Sequence, residues 1–106
     1  MTALEYLTLG STNVTNAGLA HLARLTNLNL LHLGSSKITD AGLEHLRGMK
    51  NLETLDLNRT NVTNVGLKHL GGRTNLKKLD LSWTKVTDAG VKKLQQALPN
   101  CEVVHE

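Results

Sequence analysis

Apolar side chains return along this chain every 24 positions. Leu4, Leu28, Leu52 and Leu76 open four units, with Leu7, Leu31, Leu55 and Leu79 at the fourth place and Leu9, Leu33, Leu57 and Leu81 at the sixth. Thr12, Ser36, Thr60 and Thr84 stand at the ninth place, and Val14, Ile38, Val62 and Val86 at the eleventh. Two shorter periods sit inside each unit. Leu7-Thr8-Leu9, Leu31-His32-Leu33, Leu55-Asp56-Leu57 and Leu79-Asp80-Leu81 alternate apolar and polar, which predicts short strands with one buried face. From Ala17 to Arg24, Leu19 and Leu22 lie three apart, which predicts a short amphipathic helix. Thr15 or Asn16 stands before it as N-cap, and Asp40 or Asp88 takes that place in other units. No unit of this size buries its own apolar side. Neighbours must therefore stack in parallel and share one core, which predicts a right-handed α/β solenoid.

The units run over 4–27, 28–51, 52–75 and 76–99 within one domain, 1–106, and a fifth strand is expected near 101–104. An inserted residue at Pro99-Asn100 offsets that fifth start, so Cys101 and Val104 are expected where Leu28 and Leu31 stood. Gly18, Gly42, Gly66 and Gly90 fall just inside each helix. Glycine is a poor helix former, so these positions read as clearance for the adjacent coil.

Each unit reads LxxLxLxx(T/S)x(V/I)T followed by (D/N)xG(L/V)xxL. This resembles the leucine-rich repeat family, in particular the "TDAGL" units of ribonuclease-inhibitor-like, cysteine-containing and bacterial repeats. The resemblance covers nearly the whole chain and implies a parallel β-sheet on a concave face with short helices on a convex face. It departs from the common pattern at the ninth place, where Asn or Cys is usual. A ladder of hydroxyls bonded to the neighbouring turn is expected in their stead.

In a parallel sheet, residues one period apart become spatial neighbours. The outward places give one column of Tyr6, Leu30, Thr54 and Lys78 and a second of Thr8, His32, Asp56 and Asp80. Beside them run Gly10, Gly34, Asn58 and Ser82, then Ser11, Ser35, Arg59 and Trp83. Unlike the Leu ladder, these places vary from unit to unit, and they hold the only Tyr and the only Trp. Aromatic and Arg side chains anchor interfaces. The candidate protein-binding residues are therefore Tyr6, Leu30, His32, Thr54, Asp56, Arg59, Lys78, Asp80 and Trp83. Thr8, His32 and Asp56 have the order of a nucleophile, base and orienting acid, but an open sheet supplies neither an oxyanion hole nor water exclusion. Asp56, Asp80 and His32 on a flat pleated row do not converge on one metal ion. His21, His45 and His69 recur by the repeat itself, on helices too far apart to share an ion. No catalytic, cofactor-binding or metal-binding residue is expected, and no cofactor.

Composition narrows the field further. The 106 residues are 40% hydrophobic and 20% charged, with 22 Leu, no Phe and one Pro, which is too apolar for disorder and too evenly spread for a membrane span. Cys101 is the only cysteine, so no intrachain disulfide forms. With no basic stretch leading into an apolar run at the start, a cytoplasmic location is expected. Asn13-Val14-Thr15, Asn58-Arg59-Thr60 and Asn61-Val62-Thr63 match a glycosylation pattern that the repeat itself generates. Residues 1–53 balance in charge, and residues 54–106 carry the whole net +3. Lys68, Arg73, Lys77, Lys78, Lys92 and Lys93 favour an acidic protein partner, and no aromatic-plus-basic platform suggests nucleic acid.

The expectation is a non-enzymatic protein-interaction scaffold using its concave strand face, without membrane, nucleic-acid or small-molecule substrates. The alternative is an excised, consensus-like or engineered solenoid segment with no ligand. Gly71-Gly72 predict that the third helix ends early, with the Arg73 stem along apolar surface. The apolar ladders of the end coils predict self-association, most simply a homodimer through the N-terminal coil.

Overall fold

The computed structural model describes residues 6–8, 14–22, 28–71 and 75–106, with the backbone alone at 6 and 8. Strand β1 (Tyr6–Thr8) leads to helix α1 (Asn16–Leu22), β2 (Leu30–His32) to α2 (Asp40–Leu43) and a 3-10 segment over Glu44–Gly48. Then β3 (Thr54–Asp56) leads to a 3-10 turn over Gly66–His69, β4 (Lys78–Asp80) to α3 (Asp88–Ala97), and β5 (Glu102–Val104) ends the chain. The five strands form one parallel sheet in sequence order. This is the α/β solenoid expected from the period.

Register follows the repeat, with Leu7, Leu31, Leu55, Leu79 and Val103 paired in one row. Here the expectation for the last strand is corrected: Val103, not Val104, continues the Leu31 ladder. The hydrogen bonds from Glu102 N–H to the Lys77 carbonyl (2.8 Å) and from Leu81 N–H to the Val104 carbonyl (2.7 Å) hold β5 at the 24-residue spacing. The strand register therefore carries no inserted residue, and in the turn before β5 Cys101 N–H reaches back to the Leu98 carbonyl. Cys101 is buried in the core at the head of this fifth coil. Gln95 Nε2 donates to the carbonyls of Leu98 (2.9 Å) and Cys101 (2.7 Å), closing the end of α3 against β5.

The core is the ladder itself. Leu28, Leu31, Leu33, Ile38, Leu52, Leu55, Leu57, Val62, Leu79 and Leu81 are fully buried, joined from the helical side by Leu19, Leu43 and Leu46. The ninth-place hydroxyls bond differently from expectation. Ser36, Thr60 and Thr84 each donate to the carbonyl three residues earlier, Leu33, Leu57 and Leu81, at 2.6–2.7 Å. They fasten their own coil's turn, not the neighbouring one, because the tight corner brings that carbonyl nearest. Ser36 and Thr60 are buried and Thr84 half-buried.

On the helical side coils are joined by side chains expected as caps, Asn16 and Asp40 among them, and the first helix is capped by Thr15, the other residue expected there. Asn16, Asp40 and Asp88 are the first helical residues, and the caps before them are threonines: Thr15 Oγ1 accepts from Gly18 N–H and Thr87 Oγ1 from Gly90 N–H. The Asn and Asp side chains, freed from capping, reach the next coil. Thr39 N–H donates to Asn16 Oδ1 (3.0 Å), Thr63 N–H to Asp40 Oδ1 (2.7 Å) and Thr87 N–H to Asn64 Oδ1 (3.0 Å). The glycines then take their meaning. A Cβ on Gly42, Gly66 or Gly90 would collide with the Oδ1 of Asn16, Asp40 or Asn64, so each glycine makes room for the link from the preceding coil. The third helix shrinks to the single turn Gly66–His69, as Gly71-Gly72 foretold, while Arg73 lies outside the described residues, as do Leu4, Leu9, Gly10, Ser11 and Thr12.

Candidate functional site

The sheet brings the sequence-predicted surface residues into two rows. Tyr6, Leu30, Thr54, Lys78 and Glu102 pair in one, and Thr8, His32, Asp56, Asp80 and Val104 in the other. Leu30, Thr54, His32, Asp56 and Asp80 are half-buried and Lys78 is exposed. A row of Thr, His and Asp does form in backbone register, but the Asp56 carboxylate is engaged elsewhere. Its Oδ1 accepts from Asn58 N–H (2.9 Å) and from Asn58 Nδ2. Asp80 Oδ1 likewise accepts from Ser82 N–H at 2.9 Å. Both aspartates thus shape the corner after their strand, a role the sequence signalled by D-x-N and D-x-S following an alternating run. Among the described residues, no group of three His, Cys, Asp or Glu is placed to hold a metal ion.

Beyond these corners the backbone does something for which the residue pattern carries no signal. Ser35, Arg59 and Trp83 adopt left-handed conformations with φ of 59°, 58° and 60°. A left-handed non-glycine residue carries a penalty of roughly 1–2 kcal/mol. The neighbouring coil enforces it: Ser35 N–H donates to the Asn58 carbonyl (2.8 Å), Arg59 N–H to the Ser82 carbonyl (2.9 Å) and Trp83 N–H to the Glu106 carbonyl (3.1 Å). The parallel pairing therefore runs on past the strands, and each corner residue is held by the next coil. The result is a fixed rim on which Arg59 and Trp83 occupy corresponding corners of adjacent coils. Trp83 is 64% exposed, an unusual degree for the largest apolar side chain in the molecule.

Charge on this face is mixed. Lys77 pairs with Glu53 at 3.5 Å, both well exposed, a contact that contributes little to stability. At the far end His105 lies 3.2 Å from Asp88 through Nδ1 and 2.9 Å from the Val86 carbonyl through Nε2. Burial, and after it the carboxylate of Glu102, push the Cys101 thiol up from its ordinary range, so it stays protonated and poorly nucleophilic at neutral pH. No described helix is long and apolar enough to cross a membrane.

Five parallel strands in one register, backed by short helical turns, define a repeat solenoid. The leucine rich repeat family model matches residues 26–86, more than half of the chain, and the protein belongs to that family. Among solved structures it is similar to internalin C2 of Listeria monocytogenes, with 26% identity and a TM-score of 0.77, covering 97% of this chain and 42% of that one. It is also similar to an internalin F of the same organism, with 25% identity and a TM-score of 0.63 over 95% of this chain and 34% of that one. A leucine-rich repeat protein of Leptospira interrogans shares the fold at 22% identity and a TM-score of 0.66, with 95% and 31% covered. The chain spans less than half the length of each. No curated protein sequence matches it. Leucine-rich repeat proteins are generally protein-interaction scaffolds and typically not enzymes.

Proposed function

We propose that this protein is a non-enzymatic scaffold that binds a protein partner on its sheet face, with Arg59 and Trp83 as the anchors. The observation that carries the reading is the exposed Trp83, held in a left-handed corner beside Arg59 at the edge of the sheet rows. A backbone corner already held by the next coil needs little ordering on binding, and a Trp next to an Arg is the usual composition of an interface hot spot. Tyr6, Leu30, His32, Thr54, Asp56, Lys78 and Asp80 would supply the surrounding contacts, those of Asp56 and Asp80 through the carboxylate oxygens left over from their corners.

The test is affinity capture on immobilised protein with wild type, an Arg59→Ala/Trp83→Ala double variant and a Lys92→Ala control on the helical side. A partner kept by wild type and the control and lost by the double variant supports the proposal. Equal retention by all three places recognition elsewhere. Self-association through the first coil, where Leu7, Val14 and Leu22 are only half-buried against the core, is part of the same proposal. Sedimentation over a hundredfold concentration range with constant monomer mass would remove it.

A further inference from the structure

The 3-10 turn Gly66–His69 and helix α3 do not close on each other, and a groove of about 440 Å³ opens between them. Its walls are chiefly apolar, with Val65 and Leu67 on one side and Ala89 and Leu94 on the other, and Lys68 and Lys93 line it as well. The groove begins where Asn64 Nδ2 donates to Thr87 Oγ1 and ends at Gly71. It lies on the opposite side from the sheet rows, so it goes beyond the function proposed above.

The groove coincides with departures from the repeat. Val65 stands where Ala17, Ala41 and Ala89 stand, and is 61% exposed, adding apolar surface toward solvent. Gly71 replaces the Arg47 of the preceding coil and adds no side chain of its own to the groove. Lys93 takes the place of His21, His45 and His69, and Lys68 that of Glu44. No carboxylate lines the site, and among the described residues neither lysine forms an ion pair. The nearest acid in sequence, Asp88, is not among the lining residues and lies 3.2 Å from His105 Nδ1.

We propose that this groove docks an acidic amphipathic segment of another protein, its apolar residues on Val65, Leu67 and Leu94 and its carboxylates facing Lys68 and Lys93. The volume falls within the range of about 300–1,000 Å³ typical of ligand sites. An open channel between two roughly parallel elements suits a helix laid in with anchors at i, i+3 or i+4, and i+7. The charge selects the occupant, because two unpaired cations on an apolar channel favour a ligand with carboxylates beside its apolar face.

The probe is a synthetic helical peptide with Leu at i, i+3 and i+7 and Glu elsewhere, titrated into the isotopically labelled full chain. Expected are saturable amide shifts at Val65, Lys68, Gly90 and Lys93, weakened by added salt. A Lys68→Glu/Lys93→Glu variant should bind roughly three- to tenfold more weakly, and Arg59→Ala/Trp83→Ala should bind unchanged. Both lysines are exposed, so the variant folds, as its spectrum will show. The proposal is overturned by the absence of saturable shifts, by shifts centred on His32 and Trp83, or by equal affinity for a peptide with Lys in place of Glu. A rise in sedimenting mass that the double Lys variant abolishes would likewise overturn it, by showing that a second copy of the chain fills the groove.

Discussion

On the sheet side, successive coils set Leu31, Leu55, Leu79 and Val103 in one uninterrupted register, while on the helical side the same 24-residue unit gives four different results. The first is a seven-residue α-helix, the second a four-residue helix running into a 3-10 segment, the third a lone 3-10 turn and the fourth a ten-residue helix. Parallel strands are bound by backbone hydrogen bonds whose spacing is independent of side chain, so sequence variation there changes the surface and leaves the geometry alone. The helical elements are joined by side-chain links at one point per coil, and between those points local propensity decides. Val65, Gly66, Gly71 and Gly72 are a poor helical set, and the third coil responds by contracting. Variation on one side writes chemistry onto a constant frame; on the other it alters the frame.

The largest test of that contrast is at the shared core. Leu57 is fully buried in the middle coil, and Leu57→Ala should destabilise by about 2–5 kcal/mol in chemical denaturation. A melt like that of wild type would break the comparison, since it would mean that the sheet side does not depend on its ladder. Next comes the side-chain link. Gly66→Ala drives a methyl onto Asp40 Oδ1 and should cost about 1–3 kcal/mol, whereas Gly48→Ala, with nothing near its Cβ, should be neutral or stabilising by up to about 1 kcal/mol. Similar values for the two would show that coil contacts do not discriminate between those glycines. A smaller effect is expected at the rim. Arg59→Gly relieves a left-handed residue and should leave stability within about 1 kcal/mol of wild type, while removing partner binding.

The smallest effect concerns the last coil and pH. The folded-state thiol of Cys101 is raised above its unfolded value, so the folded chain holds its proton more tightly. The contribution is fully present below the ordinary thiol value of about 8.5 and declines as pH rises through the folded value. Denaturation curves at pH 7, 8.5 and 10 should show a fall in stability that Cys101→Ala, though less stable at pH 7, lacks. A parallel fall in both would assign the slope to another group.

The solenoid, its parallel order and its two surface rows were legible because a period of 24 converts directly into spatial adjacency. The clearance role of Gly42, Gly66 and Gly90 was legible too, since glycine inside a helix needs a reason. What the sequence concealed was the partner of each polar group. Thr and Asx are both good caps, and nothing in T-D or T-N says which one caps and which reaches across to the next coil. The left-handed corners were hidden for the opposite reason. Local preference would put Gly34 in that conformation, but the hydrogen bonds of the neighbouring coil impose it on Ser35, Arg59 and Trp83. Val104 falls outside the ladder because strand pairing keeps the 24-residue step from Leu79 to Val103, with no residue inserted in that register.

The link between coils also has a chemical symmetry. Where the linking residue is Asn, its Nδ2 donates to the next threonine's hydroxyl oxygen, as from Asn16 to Thr39 and from Asn64 to Thr87. Where it is Asp, the rotor turns round and Thr63 Oγ1 donates to Asp40 Oδ2. A hydroxyl both gives and receives, so amide and carboxylate fit one socket with the same backbone partner. Replacement of Asn16 or Asn64 by aspartate would therefore keep the link and add one negative charge. For Asn64 that charge would arise in the wall of the groove lined by Lys68 and Lys93, altering its electrostatics on a fold that does not change.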